Sequence, residues 1–435
     1  MRIPEILLIE SHHKPGSLAK ILHVIGEAGV VVENLNAVRR EQDKTVWEVT
    51  VEMDEEADRS LYDKINELPN AKILGKSDRV FERHKGGKIE MVSKVPLDST
   101  QRLRDLYTPG VARVSLAIQQ DPAKAWDYTN IGNTVGIVTN GTAILGLGPI
   151  GSLAGLPVME GKSMIYAKFT GISGIPILLN DRDPKKIIDT VLAIESSFGA
   201  IHLEDIGAPE CFEVEEELTK RLKKPVLHDD QHGTAVVTLA ALISATKRVK
   251  RDIKSSVVGQ IGLGAAGIGI VQLLTGYGVK TVLGADKREE ALSRVEKIGG
   301  KRATLEQVMQ QADIVIATTG VKGLIKPEMV RKGQIIFALS NPEAEISARQ
   351  ALEAGAAYAT DGRSVNNALG YPALFRGALD ARAKRFTDAM LFAAATKLAE
   401  LAPAHELLPE PLDLHVHAAV AAAVKEAAIR SGACK

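Results

Sequence analysis

The stretch SSVVGQIGLGAAGIGIVQLLTGYGV, residues 255–279, constrains the fold more than any other part of the chain. A β-branched apolar run leads into Gly262, Gly264 and Gly267 in G-x-G-x-x-G register, and an apolar helical run follows. Glycine spacing alone says little. Here a second strand-like run, KTVLGAD, ends in Asp286 about 20 residues further on. Three more runs, ADIVIATTG, GQIIFALSNP and AAYATDG, each feed polar or glycine residues. This order predicts an α/β, Rossmann-type dinucleotide domain over residues 246–371. Gly262, Gly264, Ala265 and Gly267 would then line the dinucleotide, with its pyrophosphate at the helix N-terminus. Asp286 is placed for the adenosine ribose hydroxyls and favours NAD, because a carboxylate repels the extra phosphate of NADP. Lys287 and Arg288 follow it and can accept that phosphate if the loop turns them inward, so NADP stays open.

Charge narrows what else the chain binds. Lys+Arg and Asp+Glu are equal at 54 each, which gives no net field toward nucleic acid or an acidic membrane surface. A small polar ligand is expected. The longest apolar stretch, Val135 to Met159, is interrupted by Asn140, Pro149, Pro157 and several glycines. It fits strand and loop around a site better than a membrane span. Cys211 and Cys434 are too few for a disulfide framework and no signal peptide opens the chain, so a cytoplasmic location is expected.

The first 82 residues form their own pattern: EILLIE, the helix-like GSLAKILHVIGEAG, VVVENLNAVRR, KTVWEVTVEM, the helix-like RSLYDKINEL and AKILGKSDRV. That order, βαββαβ, is the ferredoxin-like unit. HHKPGSLAKIL followed by GVVVENLNAV resembles the ACT domain, a small-molecule regulatory module often attached to metabolic enzymes. The resemblance implies an effector site at Lys14 to Leu18 and Gly29 to Val31. The acidic residue usual at that turn is absent, with His12 and His13 nearby, and a packing or dimerisation module is the other reading. The charged, glycine-bearing ERHKGGK marks a linker, residues 83–93.

A nicotinamide domain implies hydride transfer, so residues 94–245 are expected to hold substrate and metal. Four polar constellations stand there in apolar surroundings: YTPGVA with Tyr107, MEGKSMIYAKF with Lys162, AIHLEDIGAPECFE with Glu204 and Asp205, and PVLHDDQHGTA with Asp229 and Asp230. In the last, His228 and His232 have the i, i+4 spacing of helical zinc sites. Gly233 disfavours a helix, and the apolar Pro225 to Leu227 reads as a strand running out into a loop. Neighbouring side chains on a strand point to opposite faces, so each acidic pair can share an ion only where the pleat breaks. Gly207 and Pro209 supply a break downstream of the first pair, and Gly233 lies beyond the second. Two such pairs offer oxygen ligands suited to Mg²⁺ or Mn²⁺.

The motifs YTPGVA, GK in an apolar segment, EDI.APECF, HDDQHGTA, GLGAAG, ALSNP and NNALGYP run in the order found in malic enzymes, which the chain resembles from about Lys94 to the C-terminal helices. The resemblance implies oxidative decarboxylation of L-malate to pyruvate and CO₂ with reduction of NAD or NADP, in the compact bacterial type. Residue by residue, it implies Glu204, Asp205 and Asp230 as ligands of Mg²⁺ or Mn²⁺, with Lys162 and Asp229 beside the C2 hydroxyl. Lys162 would be the immediate base, its pKa depressed by burial and the cation. Tyr107 would return a proton to C3 of enolpyruvate, and Asn341 and Asn367, with Asn366 beside them, would contact substrate. Asn341 would also lie near the nicotinamide ribose. An arginine of the larger enzymes, just before ILGLG, is Ala143 here. Residues 372–435 read as helices packing on the catalytic body, and the family implies a homodimer. A malolactic enzyme is the near alternative, and a zinc hydrolase centred on His228 and His232 the remote one.

Overall fold

A computed structural model describes residues 5–52, 60–77, 79–144, 147–341, 344–362 and 365–434. The chain divides into two units, Met1–Lys88 and Ile89–Lys435.

In the first unit the elements are β1 (Glu5–His12), α1 (Ser17–Glu27), β2 (Val31–Arg40), β3 (Lys44–Glu52), α2 (Leu61–Asn66), β4 (Ala71–Lys76) and α3 (Arg79–His84). The four strands form an antiparallel sheet in the order β2-β3-β1-β4. Alternation puts Leu7 and Ile9 of β1 and Val49 and Val51 of β3 on one face. They share a core with Ile21 and Ile25 of α1 and Leu61 and Ile65 of α2. This is the βαββαβ arrangement that the hydrophobic pattern predicts.

The second unit begins with α4 (Thr100–Leu106), α5 (Val111–Gln120) and α6 (Ala125–Tyr128). Then come β5 (Thr134–Thr139), α7 (Ser152–Thr170), β6 (Ser173–Leu178), α8 (Pro184–Ile194), β7 (Ala200–Leu203), α9 (Glu210–Arg221), β8 (Val226–His228) and α10 (Thr234–Arg248). The strands form a parallel sheet in the order β6-β5-β7-β8. All six residues of β5 are buried, as expected of a strand covered on both faces.

Two segments depart from the sequence expectation. The apolar run from Val135 to Met159 is not strand and loop throughout, because Ser152 opens the 19-residue helix α7, which carries Lys162. Proline and glycine make its intrinsic helix propensity poor. Burial decides instead: Gly155, Met159, Lys162, Ser163 and Tyr166 recur at three- and four-residue steps on the face turned inward. The HDDQHG segment is likewise no loop. It is a five-residue π-turn, Asp229–Gly233, running straight into α10. A Cβ at position 233 would lie 1.7 Å from Asp229 Oδ1, so the glycine permits the wide turn to fold over that carboxylate.

The dinucleotide half contains β9 (Val257–Ile261), α11 (Ala265–Tyr277), β10 (Thr281–Ala285), α12 (Glu289–Lys297), β11 (Lys301–Arg302), α13 (Leu305–Gln311), β12 (Ile314–Ala317), β13 (Ile335–Ala338), α14 (Ala348–Glu353) and β14 (Tyr358–Asp361). Its parallel strand order, β11-β10-β9-β12-β13-β14, is that of the doubly wound Rossmann sheet, with the crevice where the order reverses. Helices α15 (Tyr371–Asp380), α16 (Asp388–Leu401) and α17 (Leu414–Arg430) close the unit. α15 and α17 pack on α7, and α16 packs on α10. His417 is spent structurally, with Nε2 2.8 Å from Pro411 O and its ring stacked on Phe169.

Candidate active site

Strands β7 and β8 are parallel neighbours, with Leu203 in register with His228. The two acidic pairs that follow therefore emerge side by side at the carboxyl edge of the sheet. The pleat breaks at Asp205 itself, whose φ is 52°, earlier than the Gly207 and Pro209 of the sequence reading. Potential ligand oxygens of Glu204, Asp205 and Asp230 lie within 4.8 Å of one another. Glu204 and Asp205 are buried, and the Asp230 carboxylate accepts from Asp205 N at 2.9 Å. Burial, and then the charge of Glu204, push the Asp230 carboxyl up. Three converging carboxylates at this cost are a donor set that a hard divalent cation compensates, and their oxygen chemistry fits Mg²⁺ or Mn²⁺.

Lys162 reaches the same cluster from α7. Its Nζ is 2.5 Å from Asp229 Oδ2, 3.0 Å from Glu204 Oε1 and 4.4 Å from the centre of the Tyr371 ring. Burial opposes its charge, yet Asp229 and Glu204 outweigh burial and hold the ammonium well above the ordinary lysine range. Against the expectation of a depressed pKa, the lowering effect of burial is overcome here by the two carboxylates. Asn367 Nδ2 donates to Asp229 Oδ2 at 2.8 Å, so Asn367 touches the Lys162–Asp229 pair directly.

The sequence reading overlooked His202 and Tyr166. His202 is on β7 and Glu204 follows its last residue, and the two-residue spacing that puts side chains on one face is the signal that would have found His202. Its Nε2 is 2.5 Å from Glu204 Oε2 and its Nδ1 is 2.8 Å from Tyr166 Oη. A carboxylate only accepts, so Nε2 carries the proton and Tyr166 donates to Nδ1. Burial pushes the His202 pKa down to about 3, which keeps the ring neutral. His202, Glu204 and Asp229 form a second group with ligand atoms within 4.8 Å. Neither His228 nor His232 belongs to such a group among the described residues, which removes the basis for a zinc site centred on them.

A cleft of about 720 Å³ runs from Ala143 and Asp230 to Gly264, Ala265, Asn341 and Asn366. Among the described residues that line it there is no Lys or Arg, so no lining cation replaces the arginine absent at Ala143. Gly262 has φ 87°, and a Cβ at Gly267 would meet Gly262 O at 1.9 Å, whereas a Cβ at Gly264 would meet nothing. Those are the three glycine roles of the fingerprint: tight turn, close helix packing, and an open approach for a pyrophosphate. Asp286 Oδ2 accepts from Leu263 N at 2.8 Å, and Arg288 Nε lies 3.1 Å from Asp286 Oδ1. Burial opposes its charge, but the Arg288 guanidinium and the amide donors hold the carboxyl below its ordinary range. Asn341 donates to Gly362 O at 3.3 Å, and Asn366 accepts from Ala368 N, capping a short turn. Pro342 of the ALSNP motif lies outside the described residues. Tyr107 stands apart. It ends α4, is 68% exposed, and contributes to none of the contacts around Lys162 among the described residues.

A family model described as "Malic enzyme, N-terminal domain" matches residues 86–185, and "Malic enzyme, NAD binding domain" matches residues 350–429. Between them, residues 228–327 match "D-isomer specific 2-hydroxyacid dehydrogenase, NAD binding domain". The chain is 50% identical to NAD-dependent malic enzyme 1 of Bacillus subtilis (strain 168) over 97% of each sequence. It is 42% identical to a bifunctional malic/malolactic enzyme of the same organism, over 80% of this chain and 92% of that one. Among solved structures, the malic enzyme of Pyrococcus horikoshii superposes with TM-score 0.77 at 39% identity, covering 82% of this chain and 91% of that one. With a nicotinamide crevice, a carboxylate metal cluster and a relative this similar along almost its whole length, the chain belongs to the malic enzyme family.

Proposed function

We propose that the protein oxidises L-malate to pyruvate and CO₂ with reduction of a nicotinamide dinucleotide. The observation that carries this reading is the convergence of Glu204, Asp205 and Asp230 beside the Lys162–Asp229 pair, with Asp230 on the same cleft as Gly264 and Asn341. Glu204, Asp205 and Asp230 would hold the divalent ion, which would supply Lewis acidity at the substrate oxygens. Lys162 takes the C2 hydroxyl proton, and Asp229 receives it or holds the ammonium in place, oriented by Asn367. Gly264, Ala265 and Asn341 line the same cleft as Asp230 and would hold the nicotinamide dinucleotide, which when bound would supply the hydride acceptor. The amides of Asn341 and Asn367, with Asn366 beside them, orient the substrate; Tyr107, exposed and apart from Lys162 within one chain, would protonate C3 from the second copy of a dimer.

Asp286 and its bond to Leu263 N support NAD as the preferred cofactor, with Arg288 held by Asp286. Exposed Leu103, Leu106, Tyr107 and Leu116 on and beside α4 and α5 support a homodimer in which that surface is covered. The first unit is an ACT-like regulatory module for a small effector, which its sheet order supports. Two free cysteines fit a cytoplasmic setting, and no described helix is long and apolar enough to cross a membrane.

The test follows NAD and NADP reduction with L-malate, with and without Mn²⁺, while pyruvate is assayed in the same tube. Metal-dependent reduction matched by pyruvate supports the reading, and no reduction by folded, metal-loaded protein ends it. A malolactic activity has one specific support, the bifunctional relative, and release of lactate without net reduction would identify it.

A further inference from the structure

Glu215 lies on α9, outside the clusters described above, yet its carboxylate accepts from three donors in and beside one short turn. Oε1 takes the backbone N–H of His228 at 2.7 Å. Oε2 takes Gln231 Nε2 at 2.9 Å and His232 Nε2 at 3.0 Å. These donors flank Asp229 and Asp230 on both sides. The turn between them is π-helical, a rare geometry found mostly as single turns and often at functional sites. Glu215 is also tied to the other acidic pair, because α9 begins at Glu210, just beyond Asp205 and the Gly207–Pro209 segment. One side chain thus joins the segment bearing Asp230 to the segment bearing Glu204 and Asp205. The Glu215 side chain is only 12% exposed, so loss of its acceptors would strand buried donors rather than release them to water.

We propose that Glu215 is the positioning residue of the divalent-metal site, fixing the π-turn so that Asp230 meets Glu204 and Asp205 and Asp229 meets Lys162. The inference rests on the ligand set given under the proposed function. Outer partners of metal ligands affect metal affinity by setting ligand orientation, and their loss costs roughly 10–100-fold. A residue that only stabilised the fold would lower the melting temperature and leave metal affinity unchanged.

The test titrates Mn²⁺ into the metal-free, full-length protein and reads free Mn²⁺ by electron paramagnetic resonance. Glu215→Gln should weaken Mn²⁺ binding about 10–100-fold and raise the Mn²⁺ concentration needed for half-maximal malate oxidation. NADH binding, read by fluorescence, should not change. Glu216→Gln is the control on the same helix, because Glu216 is exposed and pairs with Lys220; it should bind Mn²⁺ as the parent does. Wild-type Mn²⁺ affinity in folded Glu215→Gln would overturn the proposal. If that variant does not fold, Gln231→Met removes one of the three donors, and unchanged affinity there would overturn it equally. Asp230→Asn separates the two layers: retained Mn²⁺ binding in that variant overturns the ligand set, whereas its loss beside an unaffected Glu215→Gln overturns only the role of Glu215.

Discussion

Lys162 Nζ sits 2.5 Å from Asp229 Oδ2 although the two residues are 67 positions apart and both side chains are almost wholly withdrawn from water. The contact joins α7 to the π-turn, and neither partner is stable there alone. A buried ammonium without its carboxylates, or the carboxylates without it, would carry an uncompensated charge.

Lys162→Ala should therefore act twice. Malate oxidation at saturating Mn²⁺ should fall by about 10²–10⁴-fold if a proton-transfer group has been lost. Metal-free protein should lose roughly 3–5 kcal/mol in urea unfolding, because Asp229 and Glu204 lose the buried cation that compensates their charge. Turnover at the parent rate would remove Lys162 from the chemistry.

Asp230 has the opposite sign. Its folded pKa is raised above the ordinary 3.8 by burial and by Glu204, so the folded state holds its proton more tightly than the unfolded chain does. Stability of the metal-free protein should fall as pH rises from the unfolded value through the folded one. Asp230→Asn should flatten that part of the profile, raise the melting temperature of the metal-free protein at neutral pH, and abolish the further rise that Mn²⁺ gives the parent. Differential scanning calorimetry across pH, with and without Mn²⁺, reads all three effects.

His202 governs the acid limb. Its pKa is depressed from 6.5 to about 3, so the folded state resists protonation that the unfolded state accepts. The stability linked to this group is intact above 6.5 and is lost as pH falls toward 3. His202→Asn should make the unfolding midpoint less sensitive to pH in that window, and identical slopes in both proteins would refute the assignment.

Gly233→Ala should cost activity with little effect on dinucleotide binding. A Cβ there would sit 1.7 Å from Asp229 Oδ1, so the carboxylate must move away from Lys162. Displacement by about 1 Å at a reacting group can cost about 10²-fold in rate. Steady-state kinetics beside NADH fluorescence titration separates the two effects.

Asp286→Gly removes the carboxylate that Arg288 and Leu263 N share, and leaves Arg288 unpaired beside the ribose position. The ratio of kcat/KM for NADP over NAD should rise. An unchanged ratio would mean that Asp286 does not read the ribose.

Much of the architecture is written locally. The ferredoxin-like order follows from period-two alternation in strands such as EILLIESH and from helix-period runs such as SLAKILHVIGE. The dinucleotide crevice follows from Gly262, Gly264 and Gly267, because steric demands on a backbone atom are met or failed within a few residues. The acidic pairs were visible as chemistry at strand ends. Other features depend on partners far along the chain. α7 is helical despite Pro157 because β6, α15 and α17 bury its inner face. The HDDQHG segment is a π-turn because Glu215 and α10 hold it, and His202 acquires its role only when Tyr166 arrives from α7. Sequence determined which residues could form strands, turns and ligand oxygens, since those are properties of a side chain and its near neighbours. Only the tertiary structure decided which of them meet, because burial and charge pairing are energies of groups brought together from 13 to 138 positions apart.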